Sequence, residues 1–314
     1  MTDHTTVQPA AEARPPEHVT VMPDEVAELL AGVPDGVIAD GTLGRGGHTQ
    51  GLRGGGRAGL RFLGLDRDLE AVEAARRILE PFGDRVRVLH RGYEELREIV
   101  MELQLGLLSG IVLDLGLSSV QLASDRGFSF RPGQDLDMRF NPDGDDPTAA
   151  ELIADMPEDE LAQRLWELAE VPAARRLAKR LKERSRAGRM ETTDDLVAAC
   201  TEVLGPRVRK MASATLPAQA LRMMVNGELD RLTRFLDSIP EILAPHGRVV
   251  ILSFHSGEDR LVKTSFRRYA ATDDFRMPMR KAMRPGAVEV AANRRARSAK
   301  CRVLERCTED EVSA

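Results

Sequence analysis

The chain has 314 residues, 42% of them hydrophobic and 30% charged, enough for one large or two medium domains with a real core. A formal net charge of −5 excludes a protein-wide basic field, so any nucleic-acid contact has to come from local patches. The three cysteines, Cys200, Cys301 and Cys307, form no Cys-x-x-Cys pair, support neither a disulfide framework nor a cysteine zinc site, and fit a reducing, cytoplasmic setting.

Residues 1–17 are polar and rich in Pro and Ala, and are expected to form a disordered tail. They lack the apolar core of a signal peptide, and apolar runs elsewhere are too short to span a bilayer, so no membrane partner is expected. Gly36–Asp40 reads as a buried strand that runs straight into a Gly-rich loop. Leu60–Asp66 is a second strand. A helix over Asp68–Pro81 follows, with Leu69, Val72, Ala75, Ile78 and Leu79 on one face. Val86–His90 is a third strand, Tyr93–Leu103 a helix and Gly110–Asp114 a fourth strand. This alternation predicts an α/β fold with a mostly parallel sheet and helices on both faces.

The alternation stops near Pro142. Thr148–Asp155, Glu158–Leu168, Ala173–Arg186 and Thr193–Leu204 all read as helices, with Thr148 and Thr193 as caps. Residues 142–214 are therefore expected to be a helical domain inserted into a sheet domain made of 18–141 and 215–314. The α/β pattern then resumes with a helix over Glu228–Leu243, stopped by Ala244-Pro-His-Gly247 with Gly247 in the left-handed position. Val249–Phe254 is a strand, Ser256-Gly-Glu-Asp259 a capping box opening a helix, and Cys301–Arg306 a terminal strand.

Three strand ends carry chemistry. The loop Asp40-Gly-Thr-Leu-Gly-Arg-Gly-Gly-His48-Thr49 sits where ligands bind open α/β sheets. Its glycine spacing fits neither the dinucleotide fingerprint nor a P-loop. Asp66 ends the second strand, where a carboxylate accepts hydrogen bonds from ribose hydroxyls; the plainer reading makes it a helix cap. Asp114 ends the fourth strand, where it would hold a target amino group toward a methyl donor; the plainer reading closes a turn with Gly116.

Arg126-Gly-Phe-Ser-Phe130 and Leu136-Asp-Met-Arg139 combine aromatic, basic and glycine residues suited to clamping an extruded base, with Arg126, Phe128, Phe130 and Arg139 as contacts. Core packing accounts equally well for the two phenylalanines. Eight of the fifteen residues 175–189 are Lys or Arg, and a second basic cluster spans Arg294–Arg306. Together they point to a polyanionic partner, through Arg175, Arg176, Lys179, Arg295 and Arg297. His255 and Ser256 are expected to line the same cleft, with a helix cap as the plainer reading of Ser256. No metal site can be read.

Taken together, these motifs resemble the MraW family of bacterial 16S rRNA (cytosine-N4)-methyltransferases. The likeness runs from His18 to about Arg306. It rests on Asp40–Thr49, Asp114–Gln121, Arg126–Phe130, Leu136–Arg139, Val225-Asn-Gly-Glu-Leu229, Ser253-Phe-His-Ser-Gly-Glu-Asp-Arg260 and Asn293–Ser298. It implies a Rossmann-like class I methyltransferase domain interrupted by an all-helical substrate domain. It also implies S-adenosylmethionine as cofactor, contacted by Gly46, Gly47, His48, Asp66, Tyr93, Asp114 and Gln121. The implied reaction is methylation of a cytidine N4 in 16S rRNA of the small ribosomal subunit, and a homodimer stays open. The chain departs from the family pattern at Asp135, Leu168–Val171 and Ala212–Ala220, all in or beside the expected substrate region. A diverged paralogue acting on another RNA position or substrate, and a non-catalytic RNA-binding or ribosome-assembly protein, are the alternative readings.

Overall fold

The computed structural model describes residues 20–53, 57–208 and 211–308; the expected tail at 1–17 lies outside them. Helix α1 (Pro23–Ala31) leads into β1 (Gly36–Asp40), and α2 (Gly47–Arg53), β2 (Leu60–Asp66), α3 (Leu69–Leu79), β3 (Val86–His90), α4 (Leu96–Glu102) and β4 (Leu108–Asp114) follow. A short α5 (Ser119–Ala123) closes this half. After α3 the chain tightens into a 3-10 turn over Glu80–Arg85, and another at Tyr93–Glu95 opens α4.

The middle of the chain is helical: α6 (Ala149–Asp155), α7 (Glu158–Ala169), α8 (Ala174–Arg186) and α9 (Thr193–Leu204). The two-residue strands β5 (Arg207–Val208) and β6 (Met211–Ala212) pair before α10 (Thr215–Asn226). Then come α11 (Glu228–Ile242), β7 (Leu243–Ser253), α12 (Ser256–Tyr269), β8 (Phe275–Arg276), α13 (Ala287–Ala292) and β9 (Lys300–Arg306).

The main sheet has seven strands in the order β3-β2-β1-β4-β7-β9-β8. The first five are parallel, and β9 inserts antiparallel between β7 and β8. This is the mostly parallel, Rossmann-like sheet expected. The strands β1 and β4 are continuously apolar because both faces are covered. Val37, Ile111, Leu113 and Ile251 pack beneath α4, α11 and α12 with Phe235 and Phe266. Ile38, Val112, Val250 and Leu252 face the other way, toward Val26 and Leu30 of α1. The order reverses between β1 and β4, so the loops leaving them diverge and open a crevice at their carboxyl ends.

A second core lies among the helices. Leu152, Leu161, Leu165, Leu177, Leu181, Leu196 and Cys200 are buried together there. Ala220, Leu221 and Val225 of α10 belong to the same cluster, as do Leu136 and Met138. Among the described residues, no helix is long and apolar enough to cross a membrane.

Several local expectations change. Thr192, not Thr193, caps α9: its hydroxyl accepts from Asp195 N while the Asp195 carboxylate accepts from Thr192 N. His246, rather than Gly247, takes the left-handed conformation, with φ 58°. The chain there has already joined β7, because Leu243 pairs with Leu108 across a register shift. His255, not Ser256, caps α12, with Glu258 N donating to its Nδ1 at 3.4 Å.

Candidate active site

The Gly-rich loop is tied down from beneath. Asp40 is buried at the end of β1, and its Oδ2 accepts from Thr49 Oγ1 at 3.0 Å. That bond joins the strand to α2 across the loop. Gly41 lies so close to Leu113 and Tyr93 that a Cβ there would overlap both. Thr42 Oγ1 accepts from Asp114 N at 2.6 Å, which links the loop after β1 to the end of β4.

Asp66 also holds backbone. Its Oδ2 accepts from Gly44 N at 2.8 Å and its Oδ1 from Asp68 N at 2.9 Å. The helix cap itself is Asp68, whose side chain accepts from Glu70 N. A carboxylate has about four lone-pair sites, so Asp66 keeps acceptor capacity toward the crevice it lines. Burial raises its carboxyl to about 6 against the pull of the two backbone donors.

Asp114 meets Gly116 N only at 3.5 Å, so the turn takes up little of its carboxylate. His48 comes within 3.6 Å of it, Nε2 to Oδ2. His48 is 5% exposed, and neither ring nitrogen has a hydrogen-bond partner among the described residues. Burial works against an imidazolium there, but the carboxylates of Asp114 and Asp40 outweigh it and raise its proton affinity.

One cavity gathers Gly47, His48, Asp66, Tyr93, Asp114 and Gln121 of the expected cofactor set. Gln121 is positioned by a capping box with Ser118. Tyr93 stands edge-on to Phe235, with centroids 5.9 Å apart. Burial, reinforced by Glu94, Glu228 and Glu258, holds its phenol protonated. Gly46 is the exception: it does not line the cavity, and at φ 82° it makes a turn against Leu79.

The expected base clamp is arranged differently. Arg126 is spent internally: Nη2 reaches Asp68 at 2.6 Å, Nη1 donates to the carbonyls of Arg139 and Phe140, and the guanidinium covers Phe128. Arg139 forks onto its own neighbour Asp137 at 2.9 and 2.8 Å. Each guanidinium thus already has a carboxylate partner within the chain. Phe128 stacks on Phe140, a cavity-lining residue, and packs on the helical core. Phe130 is exposed.

The basic clusters divide as well. Lys182 is buried, donating to the carbonyls of Ile153, Ala154 and Met156 at the end of α6. Arg180 and Arg184 pair with Glu202. Lys300 and Arg302 both pair with Asp259, and Arg306 donates to Pro240 and Leu243 carbonyls. Arg175, Arg176 and Lys179 stay exposed on α8, outside the cavity, and Arg297 is exposed too. Arg295 alone enters the cavity, where it donates to the Leu117 carbonyl, and burial lowers its proton affinity against the pull of Asp114.

Sequence reasoning gave no role to Glu228 and Glu258, which also line the cavity. Both sit inside quoted motifs, and that was their only signal. Arg222 forks onto Glu228 at 2.7 and 2.8 Å, while Glu258 accepts from Phe254 N at 2.9 Å. Ligand atoms of Glu228, His255 and Glu258 converge within 4.8 Å, but a cation there would compete with the Arg222 guanidinium.

The sheet order, the glycine loop after β1 and acids ending β2 and β4 around one crevice define a methyltransferase that uses S-adenosylmethionine. The donor set suits that cofactor: Asp66 has lone pairs free for ribose, and an orphaned imidazole and a carboxylate flank the space beyond. A model of the MraW methylase family matches residues 16–307, and the chain belongs to that family. It is 40% identical over 291 residues to the Ribosomal RNA small subunit methyltransferase H of Dictyoglomus turgidum, covering 92% of this chain and 97% of that one. It is 39% identical over 300 residues to the protein of the same name from Sorangium cellulosum, covering 95% and 93%. Among solved structures, an rRNA methylase from Streptococcus thermophilus aligns over 91% of this chain and 94% of that one, with 12% identity and a TM-score of 0.41.

Proposed function

We propose that this enzyme methylates the exocyclic N4 of a cytidine in the 16S rRNA of the small ribosomal subunit, in the cytoplasm. The observation that carries the reading is the Asp114 carboxylate, only loosely held by the turn, in the same cavity as Asp66, Tyr93 and Gln121. The full-length likeness to small-subunit rRNA methyltransferases supports the substrate class.

S-adenosylmethionine, when bound, supplies an electrophilic methyl group on its sulfonium. The cytosine amine is a weak nucleophile because its lone pair delocalises into the ring, so the protein's task is orientation. Asp114 accepts a hydrogen bond from one N4–H and turns the nitrogen lone pair toward the methyl group. The methylated nitrogen must then lose a proton, and Asp114 is placed to receive it. His48, 3.6 Å from that carboxylate, acts on it through charge and so biases its orientation. Asp66, Tyr93 and Gln121 hold the cofactor. Arg295 lines the same cavity, where its guanidinium would meet the incoming nucleotide. The helices around the second core, α10 included, form the substrate-recognition unit.

The test uses labelled S-adenosylmethionine, unmodified small subunits, and wild type beside Asp114→Ala, with the labelled nucleoside identified by mass spectrometry. N4-methylcytidine from wild type alone is the expected result. Label in another nucleoside, or none in RNA despite bound cofactor, would overturn the proposal.

A further inference from the structure

Helices α7 and α8 pack against each other through Leu161, Leu165, Leu177 and Leu181. Their connection, Glu170–Ala173, is tight, with left-handed residues at both ends. Trp166, the chain's only tryptophan, stands on the outer face of α7 and is 58% exposed. So large an apolar ring is left mostly in water, although its burial would be favourable. A groove beside it is lined by Asp159, Gln163, Trp166, Ala173, Arg175 and Arg176, among others, and shares no residue with the active-site cavity.

The charges around the groove have been sorted by the fold. Arg180, Lys182 and Arg184 of α8 are taken up by Glu202 and by α6 carbonyls. Arg175 and Lys179 remain exposed one turn apart, and Arg176 spends one nitrogen on the Val203 carbonyl. On the α7 side, Asp159 is the one acid among the lining residues. An indole plane bordered by guanidinium groups fits an unpaired nucleotide: the base stacks and the phosphates meet the cations. An apolar peptide would leave Arg175 and Arg176 without anionic partners.

We propose that the Trp166 groove is a second RNA-binding site, which takes an unpaired nucleotide of the substrate away from the methylated base. This rests on the rRNA reading of the enzyme but is tested apart from it. As the sole indole, Trp166 reports directly. Titrating wild type with a six-residue oligoadenylate should quench its fluorescence saturably, and added salt should weaken the binding. The Arg175→Ala, Arg176→Ala double variant keeps the indole and should lose the quenching. With small subunits as substrate, Trp166→Ala should raise KM about tenfold at unchanged kcat, since one base–aromatic stack contributes on that scale. Trp166→Phe should recover most of the loss.

Absent quenching, or a KM unmoved in Trp166→Ala while wild type labels RNA, would overturn this site and leave the rRNA reading intact. A wild type that labels no RNA but is still quenched would overturn the rRNA reading and leave the nucleotide site standing. Self-association abolished by Trp166→Ala, without quenching, would overturn the proposal and assign the face to a second copy.

Discussion

His48 Nε2 lies 3.6 Å from Asp114 Oδ2, and the buried carboxylate of Asp40 also acts on the same imidazole. A histidine between two carboxylates has its proton affinity raised, despite burial that works the other way. Its orphaned nitrogens have Asp114 as their nearest charged neighbour, so its first effect is on how that carboxylate is aimed. Replacing His48 with Asn should lower the single-turnover rate about 10- to 100-fold, a loss on the scale of misplaced catalytic groups. The cofactor Kd should stay within about threefold of wild type by the same principle of separate roles for binding and orientation. A rate loss matched by an equal loss of cofactor affinity would show that His48 serves the cofactor instead.

Asp66 gives a pH prediction. Its carboxyl is raised to about 6, so it is ionised at pH 8 and largely protonated at pH 5. Ribose hydroxyls need the carboxylate as acceptor, so cofactor affinity should fall as pH drops through 6, by about tenfold between pH 7 and 5. The sign for folding is opposite. The folded chain binds this proton more tightly than the unfolded one, so this residue's contribution to apo stability grows as pH falls from above 6 toward 4. Calorimetric titration across pH reads the first effect, and an Asp66→Asn variant should flatten the curve.

Arg126 separates a base clamp from a structural brace. Its guanidinium joins the 1%-exposed side chain of Asp68 to the carbonyls of Arg139 and Phe140. Arg126→Ala would strand that carboxylate, and urea unfolding should show a loss of about 3–5 kcal/mol. Lysine should restore only part, because one ammonium cannot match the planar fork. Full stability with only substrate binding lost would restore the clamp reading.

Lys182 makes a parallel case in the helical unit. Its ammonium donates to three carbonyls at the end of α6 while the residue is 7% exposed. Lys182→Met should cost about 1–3 kcal/mol in stability, since those carbonyls lose a charged donor. Oligoadenylate affinity should not change, whereas a phosphate-binding lysine would show a weaker salt dependence when replaced.

Fold class, strand order along the chain and the position of the cofactor loop were legible because their signals are local. Continuous apolar runs at β1 and β4 report a sheet covered on both faces. Asp66 and Asp114 are each the last residue of such a run, so the strand end places the acid at the crevice without further information. Helix caps were legible to within one residue. The caps shift by one residue, from Thr193 to Thr192 and from Ser256 to His255, because the neighbouring residue also carries a side-chain acceptor that reaches a first-turn N–H.

What the sequence by itself determined is therefore the methyltransferase scaffold and the acids facing its crevice, since each depends on residues near in the chain. Only the tertiary structure decided which charges are free. Arg126 finds Asp68 across 58 residues, Lys182 finds Ile153 across 29 and Arg302 finds Asp259 across 43. Those pairings make internal braces of Arg126, an expected base contact, and of two members of the basic clusters; the fold also sets Glu228 and Glu258 along the cavity and leaves Trp166 beside Arg175 and Arg176 on the surface. The physical reason is that strand and helix formation respond to neighbours in the chain, while the fate of a charge depends on which opposite charge the fold delivers within about 4 Å.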